Sequence, residues 1–388
     1  MKRSICTTVS ALALFAAAPA LAQDNDSSVN QDGTANMAAV GQSGSDASSE
    51  VNQLGTNNLA TVSQSGSGAS ATINQGGEPD AGEQSRFGMS GTYESSGAEA
   101  TVTQASAAVA TVDQIAVDGG ATREVEATIS QDANAGGSTA AIRQRLSGSA
   151  DATIEQSGAS NQSTILQYQG NHSALNQQSG EENESTIDQG GSNTSATVIQ
   201  SGDRGRSSVF IFGNNDGVYV EQLGEDNVST VGQYGTSNGI ANVYQAGARN
   251  NSTVAQGEQS YAEVDQLGTD GVSGISQQFG DTARVIQTAT SDNARSSVTQ
   301  TGGWFFHDNE ATVTQGGIDV ESDILQDGSG MTATVTQEGV GSTSDIVQSG
   351  SGHTATVGQY SDGNASSVTQ SGTGNNATVT QGTAPIGN

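Results

Sequence analysis

After Lys2 this chain has no lysine, and its only cysteine is Cys6. One thiol builds no disulfide framework, and Cys6 is not placed where a lipid would be attached. Proline occurs three times in 388 residues, aromatic residues make up 4%, and hydrophobic residues make up 32%. That apolar share is below the usual globular level, which argues against a conventional large core. Apart from Ala11–Ala18 there is no long apolar run, so nothing in the sequence reads as a membrane-spanning helix. What fills the chain instead is Gly, Ser, Thr, Asn and Gln. A composition like this stays disordered unless a repeat organises its polar groups.

The N-terminus has the form of an export signal. Lys2 and Arg3 supply a positive start, Ala11–Ala18 an apolar stretch, and Ala20-Leu21-Ala22 a small-x-small cleavage site, so the expected mature chain begins near Gln23. That mature part carries nine arginines against 41 acidic residues, a side-chain charge of about −32. Nucleic acid and anionic lipid are excluded as partners by this balance.

Glutamine recurs every 11 residues at both ends of the chain. The first array is Gln31, Gln42, Gln53, Gln64 and Gln75; the last is Gln315, Gln326, Gln337, Gln348, Gln359, Gln370 and Gln381. Between them the spacing mostly wavers from 10 to 13, giving 29 anchors in all, with Ile211 filling one vacant slot. Two residues before the anchor stands Val or Ile in 28 of the 29 cases, among them Val40, Val62, Val313, Val335, Val357 and Val379; Asn176 before Gln178 is the exception. In the unit from Gln53 to Gln64, Asn58, Ala60, Val62 and Gln64 fall at even spacing. Side chains alternate faces along a strand, so this set is the expected interior and Leu59, Thr61 and Ser63 the expected exterior. Gly two residues after the anchor supplies the turn.

Each 11-residue half-repeat therefore reads as strand plus turn, and two of them as one rung of about 22 residues. The predicted fold is all-β: a two-sheet, amyloid-like β-solenoid of about 15 rungs. Stacked rungs lie about 4.7 Å apart, close enough for like side-chain amides to bond along the axis and satisfy polar groups that are otherwise costly to bury. Burying one Val or Ile contributes about 1.5 to 3 kcal/mol, whereas ordering the backbone costs about 1 to 2 kcal/mol per residue. No single rung holds itself together, so stability must come from neighbours. The repeat runs from Val29 almost to the last residues, leaving both ends without an expected cap and able to accept another copy.

Gln-x-Gly-x-x-Asn-x-Ala-x-x-x-Gln, as in Gln53 to Gln64, resembles the repeat of the curlin family, and this chain resembles an unusually long member of it. The resemblance implies a functional amyloid of the curli type, secreted across the outer membrane of a Gram-negative bacterium. It further implies self-association into surface fibres, helped by a nucleator subunit and an outer-membrane secretion channel, with roles in adhesion and biofilm matrix.

The expected organisation is signal 1–22, regular repeats 23–75, an irregular segment or distorted rung 76–103, repeats of variable spacing 104–300, an insertion 301–310 and regular repeats 311–388. The first irregularity contains Glu78, Pro79, Asp80, Arg86, Phe87 and Tyr93. The second contains Trp304, Phe305, Phe306 and His307. Its three aromatics read either as a contact patch for a host or abiotic surface or as a loop folded against the solenoid.

Chemistry finds no purchase. His172, His307 and His353 are far apart, and His172 and His353 occupy the slot that elsewhere holds Asn. Gly235-Thr236-Ser237-Asn238-Gly239 spells a nucleophile elbow but lies in a turn. No catalytic residue, metal ligand or cofactor is expected. The alternative function is a monomeric secreted solenoid adhesin or surface-binding protein. Calcium dependence would draw on acidic turns such as Ser361-Asp362-Gly363, but the period of 11 and the missing Gly-Gly-x-Gly-x-Asp turn oppose it. Glycan binding and ice binding are the other forms. For ice, the outward pairs Thr101/Thr103, Thr312/Thr314, Thr334/Thr336 and Thr378/Thr380 read as too scattered to form an array.

Overall fold

Alternating burial marks nearly every strand of the protein, as in Leu59–Gln64, where Ala60, Val62 and Gln64 are buried and the residues between them are not. The computed structural model describes residues 24–78, 93–116, 125–146, 148–302 and 308–383. The expected signal, Cys6 and Trp304–His307 lie outside the described residues.

Among the described residues thirty-one strands form two parallel sheets and alternate between them, except that the two-residue Ser95–Ser96 falls in the same sheet as the strand before it. Sheet A opens with Asp26–Thr34 and Ser48–Thr56, sheet B with Met37–Gln42 and Leu59–Gln64. One strand from each sheet makes a rung. The described residues make fifteen, from rung 1 (Asp26–Thr34 with Met37–Gln42) to rung 15 (Ala365–Thr373 with Asn376–Gln381). Like stands on like: Val29 pairs with Val51, Gln31 with Gln53 and Gly33 with Gly55. Register survives where the spacing does not, for Gln64 pairs with Gln104, Gln114 with Gln144 and Gln287 with Gln315. From the strand start to the anchor the pairing stays in step, because a one-residue slip there would turn the apolar row outward; the shift between Phe212 and Asn214 comes only after the anchor position.

The irregular segment after Gln75 shows this most clearly. Gly77 and Tyr93 exchange backbone hydrogen bonds of 2.8 and 2.7 Å as an antiparallel bridge. Ser95 and Ser96 then pair with Gly55 and Thr56, the places Gly and Thr hold in rungs 1 and 2. Ala98–Gln104 continues sheet B in register, so regular structure resumes inside the 76–103 segment. Across the second insertion, Glu310–Gln315 likewise pairs residue for residue with Thr282–Gln287.

A buried core of Ala, Val and Ile runs through the stack, from Val51 to Val368, with Val40 and Val379 partly buried at its ends; Ala98, Val125 and Ala150 form a second, small cluster. Glycine after the anchor is demanded by more than a turn. Gly350 has φ +123°, and a Cβ there would fall on the carbonyl of Gly372 in the next rung. The close approach of successive rungs is what excludes a side chain.

Candidate assembly surface: amide ladders and the terminal rungs

Glutamine side chains at the anchor positions form two columns of hydrogen bonds inside the stack. In sheet B the column is unbroken: Nε2 of Gln42 donates to Oε1 of Gln64 at 2.9 Å, Gln64 to Gln104 at 2.9 Å, and so on through Gln315 to Gln337 at 3.0 Å, Gln337 to Gln359 at 2.9 Å and Gln359 to Gln381 at 2.9 Å. In sheet A the bonds run from Gln31 to Gln53 (2.6 Å) and Gln53 to Gln75 (2.8 Å), and later from Gln326 to Gln348 (2.9 Å) and Gln348 to Gln370 (2.8 Å). After Gln31, each anchor amide also donates to a backbone carbonyl; Gln53 donates to the carbonyl of Met37 at 2.9 Å. Apart from Gln189, which faces Ile211, and Gln370 in the last rung, buried glutamine thus uses both amide hydrogens, which offsets its desolvation penalty.

Every bond in both columns points the same way, from the donor of one rung to the acceptor of the next towards the C-terminus. The sheet A column is interrupted once, where Gln189, Ile211 and Gln233 stand in register.

A second set of side chains reaches between rungs at the arcs. Asn183 donates Nδ2–H to the carbonyl of Gly202 (2.7 Å) and accepts the Gly205 N–H on Oδ1 (2.8 Å). Asp216 accepts the Gly239 N–H at 2.8 Å in the equivalent slot. His353 does the same work: its Nδ1 accepts the Asn375 N–H at 3.2 Å, and its Nε2 lies 3.1 Å from the carbonyl of Ser349. His172 lies 2.7 Å from the Thr194 hydroxyl and 3.2 Å from the Tyr168 carbonyl, and burial pushes its pKa down.

Charge is arranged by the same stacking. Glu182, Arg204, Asp226, Arg249 and Asp270 occupy left-handed positions in successive arcs and alternate in sign. Arg204 donates to Asp226 at 2.7 Å and Arg249 to Asp270 at 2.7 Å, which holds both aspartates below the usual carboxylate range. These pairs are exposed and add little stability, but opposite charges in register oppose slippage. Elsewhere like charges meet: Asp345 stands over Asp323 in sheet A, and burial, with Glu321 and Asp345 nearby, raises the Asp323 pKa.

The threonine pairs look different in three dimensions. All four lie in sheet B, and Thr312/Thr314, Thr334/Thr336 and Thr378/Thr380 belong to its last four strands. Linear spacing hides this because alternate half-repeats go to opposite sheets. Gly235–Gly239 forms the end of a strand and the arc after it, with no helix following. No group of three or more His, Cys, Asp or Glu suited to a metal ion occurs among the described residues.

Both ends of the stack are bare strands. Asp26–Thr34 is exposed along its whole length, Val29 is 45% and Met37 66% exposed, and Ala365–Thr373 is largely exposed at the other end. Among the described residues no element covers either end.

Two parallel sheets joined rung by rung, with internal amide ladders and open ends, define a β-solenoid of tandem repeats. The curlin associated repeat model matches residues 22–55, 50–77 and 341–372, so these stretches carry the curlin repeat. The intervening rungs have the same geometry although their spacing is looser. Comparison with curated proteins finds no match.

Proposed function

We propose that this protein is the structural subunit of an extracellular curli-like fibre, in which chains add end to end. The observation that carries the reading is the correspondence of the two terminal rungs. Both consist of a nine-residue and a six-residue strand. Set on one another, Val368 meets Val29, Gln370 meets Gln31, Gly372 meets Gly33, Ala377 meets Ala38, Val379 meets Val40 and Gln381 meets Gln42. Donor amides at the C-terminal end face acceptor oxygens at the N-terminal end, and unpaired backbone edges meet in parallel register. Joining two like ends opposes donors to donors or acceptors to acceptors. It would also bring Asp26 and Asp32 against their own copies, whereas Ala365–Thr373 and Asn376–Gln381 carry no charge. Adhesion and matrix formation follow from such a fibre, as does export to the surface with a channel and a nucleator as partners.

The test is polymerisation of the mature chain, followed by thioflavin fluorescence and fibre diffraction. Growth after a lag into fibres with a reflection at about 4.7 Å along the axis is expected. A Val368→Asp, Val379→Asp chain should join fibre ends through its intact N-terminal rung and then stop growth at substoichiometric amounts. A β-rich chain that stays monomeric overturns the proposal.

A further inference from the structure

We infer that the fibres pair side by side through an uncharged strip of sheet B that is completed only at the joint between two chains. The inference rests on the end-to-end reading above.

In the last rungs of sheet B the outward column is Thr334, Thr356 and Thr378, stacked in register. End-to-end addition continues it with Ala39 and Thr61 of the next copy, themselves adjacent in register. The neighbouring outward column reads Thr, Gly, Thr and then Gly, Ser across the same joint. Five successive rungs thus present small, neutral side chains in these two columns, flanked by Met37 and Leu59 in the third. Met37 projects from the first rung of the next copy and is two-thirds exposed.

The opposite face cannot do this. Across the same joint sheet A carries Asp323 and Asp345, then Asp26, Asp32 and Glu50 of the next copy. Two chains each near −32 repel wherever acidic faces meet, so lateral contact is confined to the stretch without charge. Threonine, serine, alanine and glycine let two sheets approach to about 10 Å. At physiological salt the Debye length of about 8 Å screens charges lying farther off. The occupant that fits is the same strip on a second fibre, turned by a two-fold axis so that hydroxyl and methyl groups interdigitate.

Mass per length by scanning transmission electron microscopy tests this at 0.15 M salt. Wild-type fibres should have twice the mass per length of a single stack. Thr356→Glu should halve it while leaving elongation intact, and Ser297→Glu, on the outward face of sheet A, should leave it doubled. Single wild-type fibres, including any whose strip is taken by ice or a polysaccharide instead, overturn the inference, as do Thr356→Glu fibres that stay paired. If the wild-type chain forms no fibres at all, it is the end-to-end reading that fails.

Discussion

Gln233 stands in register over Ile211, and its side-chain oxygen is buried without a hydrogen-bond partner. At every other glutamine of sheet A beyond the first rung the corresponding oxygen receives the amide of the rung before it. Ile211 therefore divides the column into seven glutamines below and seven above. Ile211→Gln should join the halves. It forfeits about 1.5 to 3 kcal/mol of apolar burial but supplies two amide bonds and relieves an unmet acceptor worth about 1 to 3 kcal/mol, so stability should change by no more than about 1 kcal/mol. Gln222→Leu in the intact sheet B column orphans both neighbours and should cost about 2 to 4 kcal/mol. Urea midpoints of the two variants, measured before polymerisation, check the contrast.

His172 gives stability a pH dependence of definite sign. Burial lowers its pKa below the ordinary 6.5, so the native state holds the ring neutral while the unfolded chain takes up a proton more readily. Its contribution is fully present above pH 6.5 and declines as pH falls below that value, levelling off beneath the native pKa. His172→Asn should flatten this segment of the stability profile, measured by thermal unfolding between pH 5 and pH 7.5.

Gly350 and Gly41 make a matched pair. A Cβ on Gly350 meets the backbone of the next rung at a φ that side chains avoid, whereas one on Gly41 meets nothing within 4 Å. Gly350→Ala should cost at least about 1 to 3 kcal/mol from backbone strain alone. Gly41→Ala should be close to neutral. Circular dichroism melts of the two single variants separate these outcomes.

Much of this architecture can be read from the spacing of two residue types. Gln at the anchor and Val or Ile two places earlier fix which face is buried and where each strand ends, and the 22-residue rung follows from sheet alternation. Residues that act between rungs are harder to see. Asn183 and Asp216 bridge to carbonyl or amide groups 19 to 23 residues away, a partner that linear spacing does not name. Asn176 stands in the apolar row because Ser185, on the facing sheet, accepts its Nδ2–H at 2.8 Å. The alternation of Arg204 and Arg249 with Asp226 and Asp270 is invisible until the arcs are stacked. The threonine columns are missed for the same reason, since neighbours in the sheet are two half-repeats apart in the chain.

The shared direction of the amide columns has a consequence for how such a chain is free to evolve. Whatever the number of rungs, one end offers donors and the other acceptors, so duplicating a rung lengthens the molecule and leaves its ends unchanged. A gene of this kind can expand or contract by whole rungs without inventing a new interface, and its length is free to follow other demands, such as how many joints a fibre contains per unit length.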